Sequence, residues 1–181
     1  MNEAALRLFF ALWPDDPTRT ALDQTAAALH PVWGGRRMRR ESLHLTLAFL
    51  GDTPVSRLNA LRQLTARVAG KAFTLTLDSP GCWLHNHVGW LGVKETPPAL
   101  TQLVSDLRRV LRAGDFPLDH QRYVPHVTLL RNARCSAPPP CQPVIWSAQG
   151  FVLLASRKSR AEGDYDVLGE WPLSASCAST Q

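Results

Sequence analysis

The sequence predicts an α+β fold with two mainly antiparallel sheets, arranged in two lobes with the helices outside. Stretches typical of strands alternate with longer stretches of helical periodicity along the chain. A short motif, His-x-Thr-Leu, occurs twice, at His44 and at His126, and each copy begins a predicted strand. The hydrophobic fraction of 45% and the charged fraction of 19% are ordinary for a globular protein.

Three stretches have the apolar spacing of amphipathic helices: residues 17–29, 54–69 and 97–112. Asp16 is the predicted N-cap of the first helix, because Pro17 suits the first helical position. In the third helix the apolar face comprises Leu100, Leu103, Val104, Leu107 and Leu111.

The predicted strands are residues 6–13, 43–50, 73–77, 88–93, 127–130, 151–155 and 167–173. Residues 73–77 and 88–93 are predicted to form a hairpin, with a turn region at residues 85–87. We expect residues 1–173 to form one bilobal domain. Residues 174–181 are small and polar, and are predicted to be a disordered tail.

Length, net charge, apolar runs and cysteine content indicate the compartment and the partners to expect. A length of 181 residues suits one well-buried domain, and the net charge of +5 favours a polyanionic partner such as nucleic acid, or a small phosphorylated substrate. No apolar run is long enough for an export signal or a membrane span, so we expect a cytoplasmic protein without a membrane partner. A monomer is a separate expectation. The four cysteines are then expected to be reduced thiols: Cys82, Cys135, Cys141 and Cys177.

The two motifs predict a shared polar cavity. Side chains alternate across a strand, so His44 and Thr46 point to one face while the leucines between them point to the other. The same rule places His126 and Thr128 together. Two such strands side by side would surround one cavity with two imidazoles and two hydroxyls.

That set of side chains suits phosphoryl chemistry. A neutral imidazole accepts a proton and a protonated one donates it near neutral pH. Threonine hydroxyls can hydrogen-bond phosphate oxygens, and a nearby arginine would stabilise transition-state charge. The scheme needs neither metal nor cofactor. A single motif would indicate only a strand histidine with satisfied hydrogen bonds, so the duplication carries the prediction.

The two motifs and their surroundings resemble the 2H phosphoesterases. Similar sequence includes residues 7–11 (RLFFA), 43–51 (LHLTLAFLG) and 125–131 (PHVTLLR), together with residues 73–77 and the late Trp171. Within that family the chain is most similar to the bacterial branch of RNA 2',3'-cyclic phosphodiesterases, historically called 2'-5' RNA ligases. The resemblance extends from Arg7 to Leu173.

The resemblance implies a bilobal fold with a pseudo-two-fold axis and a central cleft. It also implies hydrolysis of a terminal RNA 2',3'-cyclic phosphate to a 2'-phosphomonoester without metal or cofactor, and family members also join such ends reversibly to a 5'-hydroxyl. His44 would then be the general acid and His126 the general base, although their motifs alone leave this division open. Thr46 and Thr128 would hold phosphate oxygens.

Arg131 also matches the family pattern, as a phosphate contact. Strict strand alternation, however, places Arg131 on the face opposite His126. Three alternatives stay open: the strand ends before Arg131, it bulges, or the long side chain reaches around.

Other residues allow two interpretations each. The basic run of Arg36, Arg37, Arg39 and Arg40 could guide an RNA backbone or form a solvated loop, and the same alternatives hold for Arg157, Lys158 and Arg160. His85 and His87 could suggest a metal pair, but a hairpin turn is favoured because no further ligands accompany them. Tyr123 could stack on a base or pack locally.

The motif side chains would contact a phosphate and not a base, so the motifs do not identify the substrate. Rival substrates are the cyclic phosphate of ADP-ribose and 2'-5' oligoadenylate. A non-catalytic RNA-end-binding protein is the rival from another class.

Overall fold

The computed structural model describes residues 4–119, 122–156 and 164–175. Its helices are α1 (Asp16–Trp33), α2 (Leu58–Thr65) and α3 (Pro98–Ala113), with short 3-10 turns at Arg40–Ser42 and Val55–Arg57. Its strands are β1 (Ala5–Leu12), β2 (Arg36–Arg37), β3 (Leu45–Pro54), β4 (Phe73–Leu77), β5 (Ser79–Trp83), β6 (Val88–Gly92), β7 (His126–Arg131), β8 (Val144–Ala148), β9 (Gly150–Ser156) and β10 (Tyr165–Pro172).

The strands form two antiparallel sheets, which confirms the predicted fold class. The larger has eight strands in the order β10-β9-β1-β3-β7-β6-β5, with β2 added beside β7. The smaller contains β4 and β8. Within the larger sheet, β3 and β7 meet at one pair of residues, Leu45 and Val127. The two halves of the sheet, each with one motif strand, therefore meet at the centre.

The helices and the small sheet cover one face of the large sheet. Leu22 of α1 and Leu103 of α3 belong to the same buried cluster as Leu8 and Phe10 of β1. The opposite face of β1 and β9 carries a separate small cluster, formed by Phe9, Ala11, Val152 and Leu154. Alternation along the strands thus leaves one face of the large sheet free of helices, and we call it the cleft face.

The first helix begins one residue earlier than predicted. Asp15, not Asp16, is the N-cap, since its carboxylate accepts a hydrogen bond of 3.0 Å from the backbone N–H of Thr18. Hydrogen bonds from the side chain and then from the backbone N–H of Thr18 lower the pKa of Asp15. The helix also runs beyond the predicted end to the buried Trp33, whose indole N–H donates to the carbonyl of Ser136 at 2.7 Å.

The predicted hairpin was wrong in its pairing. β4 pairs with β8, and the partner of β6 is β5, whose sequence Ser-Pro-Gly-Cys-Trp has the proline and glycine of a loop. Residues 84–87 form the turn between β5 and β6, so the turn interpretation of His85 and His87 is confirmed. The second helix is shorter than predicted because its first turn is the 3-10 turn.

The prediction of four reduced thiols was wrong for one pair. Cys82 in β5 and Cys135 after β7 form a disulfide, with their Cα atoms 5.2 Å apart. The pairing of β5 with β6 and of β6 with β7 brings together cysteines separated by 53 residues. Cys141 is a free thiol whose pKa is raised by burial. Cys177 lies outside the described residues.

No helix among the described residues is long and apolar enough to cross a membrane. Ser174, the first residue of the predicted tail, pairs with Lys71 and donates its backbone N–H to the carbonyl of Gly70 at 2.8 Å. Residues 176–181 and the second basic run (Arg157, Lys158 and Arg160) lie outside the described part of the chain.

Candidate active site

The two motif strands are related by a local two-fold axis. Leu45 and Val127 occupy the same position in their motifs and lie opposite each other in antiparallel pairing. Continuing this register by one residue sets His44 against Thr128, and Thr46 against His126. All four side chains are half-buried and lie at the centre of the cleft face. The structure therefore brings together the four residues that the motifs predicted.

Both histidines are held in the same way by the backbone. His44 Nδ1 lies 2.7 Å from the carbonyl oxygen of Ser42, and His126 Nδ1 lies 2.7 Å from that of Val124. A carbonyl can only accept, so each Nδ1 carries a proton. The Nε2 atom of each neutral ring is left with its lone pair for chemistry. The repeated bond to the residue two positions earlier is a further expression of the two-fold symmetry.

Three aromatic side chains surround His44. The ring centroids of Phe9, Trp13 and Tyr165 lie 5.0, 6.2 and 5.3 Å from that of the imidazole. Burial in this setting lowers the pKa of His44 to about 4, against the opposing effect of the bond to Ser42. The neighbouring charges of His126 and Arg131 lower it further. His44 is therefore neutral at pH 7.

His126 lies against two tryptophans on the other half of the sheet. The Trp83 ring is edge-on at 4.5 Å and the Trp90 ring lies at 6.3 Å. Burial lowers the pKa of His126 as well, and the bond to Val124 opposes it. Glycine is required beside Trp90, since a Cβ at Gly81 would lie 2.2 Å from the indole ring.

The sequence prediction missed these aromatic neighbours. Trp83 lies in β5, which was not predicted as a strand, and Tyr165 comes from β10, far along the chain. Phe9 lies in β1 and Trp13 follows it directly. β1 is apolar on both faces, so alternation could not distinguish its cleft side from its core side.

A bulge in β7 decides between the three alternatives for Arg131. Gly89 of β6 pairs with Leu130 and Trp90 pairs with Thr128, so Leu129 has no pairing partner in β6. Leu129 and Leu130 are both fully buried, and the alternation is reset after them. Arg131 consequently lies on the same face as His126, exposed, and its charge acts on His44.

β3 contains the equivalent bulge. Thr46 pairs with Ala11 and Ala48 pairs with Phe10, which leaves Leu47 without a partner. Counting from each histidine, Phe49 then occupies in β3 the position that Arg131 occupies in β7. The two-fold symmetry of the backbone is thus broken by the side chains, with an aromatic ring on one side and a cation on the other.

The basic run before the first motif is largely neutralised by carboxylates. Arg37 pairs with Asp23 at 2.5 Å, Arg39 with Asp164 at 2.6 Å and Arg40 with Asp16 at 2.7 Å. Arg36 lies in β2, opposite Arg131. These contacts favour a structural role for most of the run over the guidance of an RNA backbone.

His87 and Tyr123 make contacts with other parts of the described structure. His87 Nδ1 is 3.3 Å from the carbonyl oxygen of Ala133, in the turn before β6. Within residues 4–119, 122–156 and 164–175, no group of three or more His, Cys, Asp or Glu could hold a metal ion. Tyr123 packs against the main core, which supports its local-packing interpretation.

The fold and the paired motifs define a family. The sequence profile of the 2'-5' RNA ligase superfamily matches residues 14–152, and the protein belongs to this family. The chain is 38% identical over 170 residues to RNA 2',3'-cyclic phosphodiesterase of Escherichia coli strain K12, which covers 92% of this chain and 96% of that protein. It is 28% identical to the protein of the same name from Thermus thermophilus, over 93% of this chain and 90% of the relative.

Solved structures show the same similarity in three dimensions. The crystal structure of E. coli LigT complexed with 3'-AMP superposes with a TM-score of 0.85 at 35% identity, covering 94% of this chain and 99% of that one. The complex of E. coli LigT with phosphate gives a TM-score of 0.81 at 36% identity, covering 94% and 98%.

Proposed function

We propose that this protein hydrolyses the 2',3'-cyclic phosphate at RNA ends to a 2'-phosphomonoester, by acid–base catalysis with His44 and His126. The observation that carries the proposal is the pair of imidazoles at the two-fold axis, each held through Nδ1 so that Nε2 is available. The E. coli and Thermus relatives, both named RNA 2',3'-cyclic phosphodiesterase, support RNA as the substrate.

In the proposed reaction His126 Nε2 removes a proton from water as its oxygen attacks phosphorus. The bond from phosphorus to O3' breaks, and protonated His44 Nε2 donates its proton to O3'. The new oxygen stays on phosphorus as part of the 2'-phosphate. The two histidines end with exchanged protonation states, and exchange with solvent resets them.

Three further side chains suit the phosphate. The hydroxyls of Thr46 and Thr128 can donate to non-bridging oxygens, and the guanidinium of Arg131 opposes the charge that builds in the transition state. The negative charge of a bound phosphate also favours a protonated imidazole. Substrate binding would therefore raise the pKa of His44 and supply the acid.

The division of labour between the histidines can be tested separately. The acid assignment of His44 follows the family resemblance, while its pKa of about 4 would by itself suit a base. A phosphodiester with a p-nitrophenyl leaving group needs little help from an acid. We expect it to restore much of the turnover of His44→Ala and none of that of His126→Ala. The opposite pattern would exchange the two roles.

Product analysis on an RNA with a 2',3'-cyclic end tests the reaction itself. We expect a 2'-phosphate only, and a 3'-phosphate or no product would refute the proposal. His44→Ala and His126→Ala should each lower kcat by a factor of roughly 100 or more with RNA binding largely retained. His30→Ala is the matched control, because this half-buried ring lies in the last turn of α1, where its Nε2 is 3.1 Å from the carbonyl oxygen of Gly35.

A substrate panel separates the remaining alternatives. Turnover of ADP-ribose cyclic phosphate or 2'-5' oligoadenylate, without turnover of cyclic-ended RNA, would reassign the substrate. RNA binding without any turnover would indicate a binding protein. Activity should survive EDTA, because the proposed steps use only side chains.

We also propose that the protein acts in the cytoplasm as a monomer. The RNA substrate supports that compartment, whereas the disulfide between Cys82 and Cys135 is unusual for it. Thiol trapping on cells, together with the mass of the purified protein in solution, tests both points.

A further inference from the structure

Phe49 is an exposed aromatic ring on an otherwise well-packed strand. Its side chain is 39% exposed, and it is the one aromatic among the exposed large hydrophobic residues of the described chain. It lies on the cleft face, opposite Phe9 of β1, at the position that corresponds to Arg131. An aromatic ring open to solvent beside a phosphate site suggests a ligand with a flat face.

The guanidinium of Arg7 lies over the Phe49 ring. Alternation from Phe9 and Ala11 places Arg7 on the cleft face, one side-chain row farther from the centre. Its guanidinium carbon lies 5.0 Å above the centroid of Phe49, and the side chain is exposed. The guanidinium has no hydrogen bond or ion pair with any described residue, although Asp52 lies opposite it in β3.

Several other arginines of the described chain already have polar partners. Arg37, Arg39 and Arg40 pair with carboxylates. Arg57 lies over Phe116 at 4.0 Å, but it also donates to the carbonyls of residues 114 and 115. Arg19 also lies over a ring, that of Trp13 at 5.1 Å, but its Nε and Nη2 atoms are buried. Arg7 combines an aromatic partner with an exposed guanidinium that is free of polar partners among the described residues.

We propose that Arg7 and Phe49 bind the RNA nucleotide that precedes the cyclic end. The proposal rests on the proposed function, because it takes RNA as the substrate. A guanidinium donates to a phosphodiester and an aromatic face stacks on a base, the two contacts by which proteins hold single-stranded RNA. Both side chains tolerate any base, so the contact selects RNA length over sequence.

The spacing fits a neighbouring nucleotide. Side chains two residues apart on a strand are separated by about 7 Å. Phe9 already contacts the ring of His44, so Arg7 lies one such step beyond the catalytic group along β1. A cyclic mononucleotide can fill the centre of the cleft without reaching Arg7 and Phe49, whereas an oligonucleotide extends past the centre.

The test compares two substrates of one reaction. The kcat/KM of a cyclic-ended RNA hexanucleotide is divided by that of a 2',3'-cyclic mononucleotide, for wild type, Arg7→Ala and Phe49→Ala. We expect the ratio to fall about 5- to 100-fold in each variant, the range for loss of one base stack or phosphate contact. Arg109→Ala, on the exposed side of α3, should keep the wild-type ratio.

Salt dependence supplies a second measurement. Loss of one phosphate contact should make the slope of log Kd against log salt concentration shallower by about 0.7 for Arg7→Ala, with a non-hydrolysable 2'-phosphate hexanucleotide as the probe. Phe49→Ala should keep the wild-type slope, since it removes a stack and no cation.

Two outcomes would overturn the proposal. An unchanged ratio would show that the pair does not touch RNA, and an equal loss with both substrates would show that it supports the catalytic centre instead. If the wild type turned over neither substrate, the proposed function would fail. Hexanucleotide binding would then decide this inference by itself, and full retention of affinity in both variants would refute it.

Discussion

Replacing His44 by asparagine should remove a specific pH dependence of folding stability. The asparagine side-chain amide can still donate to the carbonyl of Ser42, but it cannot titrate. In the folded protein burial lowers the pKa of His44 from 6.5 to about 4. At 1.36 kcal/mol for each pKa unit, that difference corresponds to about 3 kcal/mol. The residue is only half-buried, so solvent screening makes this an upper limit.

The direction in which the free energy of unfolding changes with pH depends on whether the folded or the unfolded state binds the proton. Between pH 6.5 and pH 4 the unfolded chain protonates His44 while the folded chain does not, so the free energy of unfolding falls as the pH falls. Above pH 6.5 both states hold the neutral ring and the contribution is fully present. His44→Asn lacks this loss, whereas all other groups titrate in both proteins.

Urea unfolding at several pH values, followed by tryptophan fluorescence, measures the effect. The stability of wild type relative to His44→Asn should fall by up to about 3 kcal/mol from pH 7.5 to pH 4. His126→Asn should change the profile in the same direction, since burial also lowers that pKa. A difference between wild type and His44→Asn that stays constant or grows on acidification would refute the reasoning.

Three further predictions concern the site and its support. The kcat/KM should peak below pH 6.5. The active form needs one protonated and one neutral histidine, and burial lowers the pKa of both His44 and His126. A peak above pH 6.5 would contradict these pKa directions. Arg131→Ala should lower kcat/KM roughly 100-fold with little change in stability, and wild-type kinetics would show that the bulge does not aim this side chain at the substrate. Cys82→Ala should lower the free energy of unfolding by about 4 kcal/mol, and dithiothreitol should destabilise the wild type equally but not the variant, because the bond between Cys82 and Cys135 closes a loop across 53 residues.

The helical segments were predictable because their signals are local. α3 was predicted within one residue at each end, since its apolar stripe and its starting proline lie inside the helix itself. Strands whose residues were apolar or alternating, such as β1, β4 and β9, were also found. β5 and β8 were missed. β5 contains a Pro-Gly pair and β8 follows a proline-rich segment, and both features are typical of loops. Neighbouring strands supply the hydrogen bonds that make them strands.

Pairing between distant segments could not be predicted. β4 was predicted to pair with β6, yet its partner β8 begins at Val144. The disulfide has the same origin, as β6 and β7 carry Cys135 toward Cys82. Such contacts depend on the order of strands in the sheet, which no local pattern contains.

The candidate reactive groups, two imidazoles and two hydroxyls repeated with the same spacing, were predictable from the sequence alone. Their chemistry belongs to the side chains and their common face follows from strand alternation, so both are local properties. The geometry around them depends on the tertiary structure. Pairing of Leu45 with Val127 joins the two motifs, the bulge at Leu129 turns Arg131 to the cleft face, and distant strands surround His44 with aromatic rings. These features arise from contacts between segments far apart in the chain, where hydrogen-bond register and burial decide the outcome.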